Sequence, residues 1–249
     1  MEIQQEGLFL SNPSKTFETG IANRSVGSGK WYCEAELFSP GLMQIGWTAV
    51  NRKKRSKINP GGGMGVGDDT ISWAVDLHRL KVWHDSQPRN FGKMKWKVGD
   101  VIGLFIDLDV GTFSVTVNNS WPPWVAFYNV ACESLVEVAM HDEKMSEKEK
   151  LPKGDIGGEG ESEEESERGI MLLSPAVSLS AGQKVLFNFG MTPFKFDYRR
   201  FEAGYRPLEQ SAAAEPIANI DVDDGILFPC LFSLSLSLSL SQIGRASCR

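Results

Sequence analysis

Between Gly29 and Phe127 the chain is a succession of short apolar runs cut by turn-forming residues, and an apolar repeat at i, i+3, i+4 and i+7 is nowhere sustained. A chain patterned this way cannot present helical faces to a core, so it must fold from strands. The runs predict strands over Lys30–Phe38, Leu42–Thr48, Thr70–Val75, Lys81–Trp83, Val101–Asp107, Thr112–Val117, Trp124–Tyr128, Leu135–Met140 and Lys184–Phe189. Between them stand Ser39-Pro40-Gly41, Gly61-Gly62-Gly63, Val110-Gly111 and Asn118-Asn119, where Gly and Asn accept the positive φ of tight hairpins. Short hairpins imply antiparallel neighbours.

Alternation within Trp31–Leu37 places Trp31, Cys33, Ala35 and Leu37 on one face and Tyr32, Glu34 and Glu36 on the other. One face is expected in a core and the other in water, as when two sheets pack face to face. The seven Trp all fall between Trp31 and Trp124, and filling the space between sheets is the expected role of most of them.

Charge and composition exclude several functions. A net charge of −6 argues against a nucleic-acid backbone as principal ligand. No apolar run approaches the roughly 18 residues that a membrane helix needs. Residues 1–6 show no signal-peptide pattern. Cys33, Cys132, Cys230 and Cys248 are too irregularly spaced for a disulfide framework or a zinc site, which fits a cytoplasmic or nuclear protein.

Asp142–Gly169 departs from the strand pattern. It has six Glu within Glu159–Glu167 and no aromatic residue, and is expected to be a disordered acidic insertion whose Ser162, followed by three Glu, suits an acidophilic kinase. Ser233–Ser241 alternates Ser and Leu without exception, as a translated CT repeat would, and Ile243–Arg249 matches a translated sequencing adapter. Residues 225–249 are therefore read as a non-native tail.

Catalytic and cofactor chemistry find no pattern here. His78, His84 and His141 lie in no metalloprotease, zinc or nucleophile-elbow motif, so the expectation is a chain with no catalytic residues, no metal and no cofactor. The glycines of Gly61–Gly67 have neither the Lys-Ser/Thr ending nor the helix of a phosphate loop and are read as a mobile hairpin. Asp107, Asp109 and Gly111 form only part of a calcium loop. Asn51–Lys57 is the densest basic run, read as a solvated loop that could steer an acidic partner.

Several motifs, in order, resemble SPRY domains: Gly29–Glu34, Gly41–Trp47, Gly65–Asp69, Ser72–Arg79, Lys81–Asp85, Val98–Gly103 with Ile106–Asp109 and Gly111-Thr112, and finally Phe187–Gly190 with Pro193–Phe196. The resemblance is closest to SPRY (B30.2-like) domains of ubiquitin-ligase substrate receptors and RING-finger proteins. It implies a concanavalin-like, all-β, two-sheet antiparallel sandwich over 19–207 that carries the acidic insertion 142–169. An extension, 1–18, precedes it, and a linker, 208–224, follows. It also implies that hairpin loops form a surface for a protein or peptide partner, with ubiquitin-ligase components among the expected partners. The matching positions are Thr48 and Ala49 after Gly46-Trp47, and Trp83-His84-Asp85 where substrate receptors carry Tyr-His-Asp. Trp83 keeps the aromatic ring and loses the hydroxyl. Two other readings stay open: a lectin-like site using Asp107, Asp109 and Asn118, and a structural module of a larger scaffold or channel.

Overall fold

The computed structural model describes residues 1–4, 8–51, 64–93, 96–120, 123–130, 171–211 and 226–228. In chain order its strands are β1 Glu2–Gln4, β2 Phe9–Ser11, β3 Glu18–Ala22, β4 Lys30–Leu37, β5 Met43–Asn51, β6 Ser72–Asp76, β7 Lys81–His84 and β8 Gln87–Asn90. They continue with β9 Val101–Asp107, β10 Thr112–Val117, β11 Trp124–Tyr128, β12 Met171–Leu179, β13 Lys184–Asn188, β14 Arg206–Pro207 and β15 Ile226–Phe228. Among the described residues there is no α-helix, only short 3-10 turns at Tyr198–Arg200 and Leu208–Gln210.

The strands form two sheets, ordered β1-β2-β13-β4-β9-β10-β11, with β14 beside β4, and β15-β3-β12-β5-β6-β7-β8. Apart from the parallel pairings of β14 and β15, every ladder is antiparallel. The predicted sandwich is thus the observed fold. Its interior combines Cys33, Ile102, Leu104, Phe113 and Phe187 of the first sheet with Ile45, Trp47, Trp73, Val177 and Leu179 of the second. Burying each large side chain is worth roughly 1.5–3 kcal/mol.

The predicted Leu135–Met140 strand, the acidic insertion with Ser162, and Arg52–Lys57 of the basic run all lie outside the described residues. Residues 2–11, read as part of an extension, supply β1 and β2, and β2 pairs with β13. Leu208, assigned to the linker, is fully buried. Ile226–Phe228, within the stretch read as a tail, pair with β3, while the remainder of that stretch is outside the described residues.

The expectation of a wet outer face on β4 requires correction. Tyr32 and Glu34 are buried there. The chain after β13 folds back across this face, and Tyr32 meets Phe105, Phe194 and Tyr198 at ring distances of 4.5, 4.8 and 4.9 Å. The Glu34 carboxylate accepts hydrogen bonds from Tyr32 Oη and from the backbone N–H groups of Lys195 and Phe196. A carboxylate can lie under this cover because all three donors point at it.

Candidate functional site

Thr48 and Ala49 do not lie on a loop. The strand after Gly46-Trp47 continues to Asn51, with β12 on one side and β6 or Ile71 on the other, and both side chains are 0% exposed. Ala49 belongs to the interior between the sheets, and Thr48 points to the outer face. Both side chains are shut off from solvent, Ala49 between the sheets and Thr48 beneath cover on the outer face, so neither is presented to a partner.

Trp83, His84 and Asp85 end β7 and enter its turn to β8, and alternation sends the first two to opposite faces. His84 faces inward and stacks on Trp73 at 4.8 Å, with its Nδ1–H donating to the Ser72 carbonyl at 2.8 Å. That carbonyl only accepts, which fixes the tautomer. Asp85 is exposed in a left-handed conformation, φ 52°. Trp83 faces outward, and the three residues do not make one continuous contact surface.

On the outer face of the second sheet Trp83 borders a groove of about 320 Å³. Gln44 of β5 and Asp68 lie in it beside Trp83, Arg79 comes from the β6–β7 turn, and Lys15–Phe17 approach from before β3. Leu42 and Ser180–Ala181 complete the lining.

Each wall is held by local chemistry. Asp76, fully buried at the end of β6, accepts the Arg79 backbone N–H at 3.0 Å and pairs with Arg79 Nε. This anchor turns the guanidinium back over the Trp83 ring, 4.4 Å from its centroid. A cation so placed is attracted by the ring's negative face. Gly67 has φ +96°, and a Cβ there would lie 2.5 Å from the Trp83 carbonyl oxygen, so only glycine lets the Gly65–Asp68 turn press against β7. Ser86 donates to the Gly67 and Asp68 carbonyls, and Asp85 donates its N–H to the Asp69 carbonyl, tying the two turns together. Asp68 accepts from the Gly65 N–H at 2.7 Å and from Gln44 Nε2 at 3.3 Å. The neighbouring Asp69 accepts from Ser72 Oγ and Ile71 N–H, and burial raises its carboxyl pKa above the ordinary value.

The remaining candidates are engaged elsewhere. The N–H groups of Gly65, Val66 and Gly67 donate to Asp68, Ser178 and Ser72, so this part of the glycine-rich segment offers no phosphate cradle and forms a pinned turn where a mobile hairpin was predicted. Asp107 pairs with Lys30 at 3.0 Å and Asp109 accepts the Gly29 N–H at 2.9 Å. Asn118 follows the far end of β10, about 20 Å from Asp109 at strand rise, where it bonds Val101 and Asp100. The structure therefore does not bring the three lectin-like candidates together.

Sequence reasoning found Trp83 and missed Gln44, Arg79 and the Lys15–Phe17 wall. Alternation with Trp83 and the Asp76–Arg79 spacing carried a signal for the first two. Lys15–Phe17 reach the groove through the pairing of β3 with β12, which adjacency along the chain does not reveal.

A family model of the SPRY domain matches residues 30–147. The E3 ubiquitin-protein ligase RKP of Arabidopsis thaliana is 28% identical over 196 residues, covering 78% of this chain and 12% of that protein's length. The crystal structure of the SPRY domain of human HERC1 aligns over 76% of this chain and 92% of its own, with a TM-score of 0.50 and 15% identity. At that identity the likeness concerns fold alone. The two-sheet sandwich, the ordered motifs and the family match converge: residues 30–147 match the SPRY domain, a protein-interaction module, and the fold is similar to that of a SPRY domain.

Proposed function

We propose that this SPRY domain recognises an extended segment of a protein partner in the groove beside Trp83, as the substrate-recognition part of a ubiquitin ligase. The observation that carries the reading is the arrangement of Arg79 over Trp83 on a rigid sheet, anchored from below by the buried Asp76. Aromatic and arginine side chains held in fixed positions are the groups that most often dominate protein interfaces. Asp85 stands on the adjoining turn, within reach of a segment that extends past Trp83. Similarity to a protein named as an E3 ubiquitin-protein ligase supports the ligase setting. The ligase setting also implies an intracellular location.

Affinity capture followed by mass spectrometry, with wild type and Trp83→Ala side by side, tests the groove. A set of proteins retained by wild type and depleted about tenfold or more by the variant is expected, given the usual weight of a central tryptophan. Identical partner sets would overturn the assignment. For the ligase setting, the depleted proteins should carry less ubiquitin in cells lacking this chain.

A further inference from the structure

The groove's polar groups bear on what it binds, and the following rests on the groove reading above. Arg79 uses Nε and its backbone N–H on Asp76 and its face on Trp83, while its two terminal nitrogens have no acceptor among the described residues. Lys15 is exposed on the other wall and has no ion-pair partner among the described residues. The carboxylates nearby are already committed: Asp76 is fully buried, and Asp68 accepts from Gly65 and Gln44. Gln44 Oε1 and Trp83 Nε1 are buried at this same place without hydrogen-bond partners among the described residues. Both atoms are shut off from solvent, so the groups a partner can reach are the terminal nitrogens of Arg79 and the Lys15 ammonium.

We infer that the groove takes an acidic side chain, Asp or Glu, from the partner's extended segment. Its carboxylate lies against the terminal nitrogens of Arg79 with Lys15 across the groove, and the neighbouring apolar groups of the segment rest on Phe17, Leu42 and Trp83. The planar guanidinium matches a carboxylate in a two-bond fork, and the Asp76 anchor and the Trp83 stack have already immobilised it. A singly charged group suits the site better than a phosphate, because Asp68 lies in the same groove and would repel a second negative charge.

The test is an array of 12-residue peptides probed with the full chain as wild type, Trp83→Ala, Lys15→Glu and Arg79→Lys, each checked for an unchanged unfolding midpoint. Peptides that depend on Trp83 should share Asp or Glu at one position. For such a peptide Lys15→Glu should weaken binding about five- to tenfold and flatten its salt dependence, and Arg79→Lys should weaken it while keeping the charge. Changing the peptide acid to Asn or Gln should erase the difference between wild type and Lys15→Glu. Trp83-dependent peptides without an acid, or with phosphoserine preferred over Glu, would overturn the inference while leaving the groove assignment in place. If no peptide depends on Trp83, the groove assignment fails and the inference falls with it.

Discussion

Glu34 shows how a single residue's environment rewrites what its type suggests. Burial is the largest influence on it and raises its carboxyl pKa above the ordinary 4.5, while the Lys195 and Phe196 N–H groups and Tyr32 Oη pull the other way. A carboxyl whose pKa is raised in the fold keeps its proton to higher pH than in the unfolded chain. Its contribution to stability therefore declines as pH climbs from about 4.5 through the raised value and is level beyond it. Asp69 shifts in the same direction for the same reason. Removing the Tyr32 hydroxyl takes away a donor that favours the charged form. Tyr32→Phe should cost about 1–2 kcal/mol at neutral pH, measured by urea denaturation, and less near pH 4.5. Equal costs at both pH values would mean that the hydroxyl does not sense the charge.

At the scale of elements, β5 is the central strand of its sheet and approaches β6 closely at Gly46. Gly46 lies opposite Ala74 of β6, and a Cβ at Gly46 would sit 2.8 Å from Ala74 Cα and closer still to the Trp73 carbonyl oxygen. The glycine of the Gly-Trp motif is therefore a requirement of strand approach. Gly46→Ala should destabilise by more than about 3 kcal/mol and lower the melting temperature by roughly 10 °C or more in a thermal scan, because both atoms it would meet are backbone and cannot rotate away. A shift within a few degrees would show that β5 and β6 can separate freely. Across the strand, β12 carries Pro175 opposite Trp47. The pairing of β12 with β3 begins only at Ala176, and the isolated Val26–Leu173 bridge lies two residues before Pro175, so the proline occupies a gap in that ladder and removes no bond to β5.

For the whole molecule, the segment after β13 acts as a strap over the first sheet. Besides Tyr32, it covers Phe105 with Phe201 and Tyr205 at 4.9 and 5.1 Å. Its Arg206-Pro207 pair with β4, the Arg206 guanidinium lies 4.3 Å from the Trp31 ring centroid, and Arg24 Nη1 donates to the carbonyls of Glu209 and Ser211 at 2.7 Å each. Aromatic contacts of this kind add about 0.5–1.5 kcal/mol apiece beyond their buried area. A chain ended after Gly190 would leave Tyr32, Glu34 and Phe105 open to water. It should bind a hydrophobic dye, lose near-ultraviolet dichroism and unfold without a sharp transition. Retention of a cooperative transition would show that the sandwich is complete without the strap.

Much of this protein follows from local pattern. Period-two alternation and turn residues located β4, β5, β6, β7, β9, β10, β11 and β13 to within a few residues, because strand and hairpin preferences act over short distances. The ordered motifs identified the domain family, and the position of Trp83 made it a candidate. Of the strands that escaped notice, β2 and β3 join partners more than 150 residues away, β12 reads as broken because of Pro175, and β8 is a short, wholly exposed hairpin arm without apolar alternation. Long-range pairing also decided the site. It buried Thr48 and Ala49 in the middle of a sheet, turned His84 inward, and drew Lys15, Gln44 and Arg79 around Trp83. Sequence alone determines which face of a strand a side chain takes, and only the folded sheet determines what lies against that face.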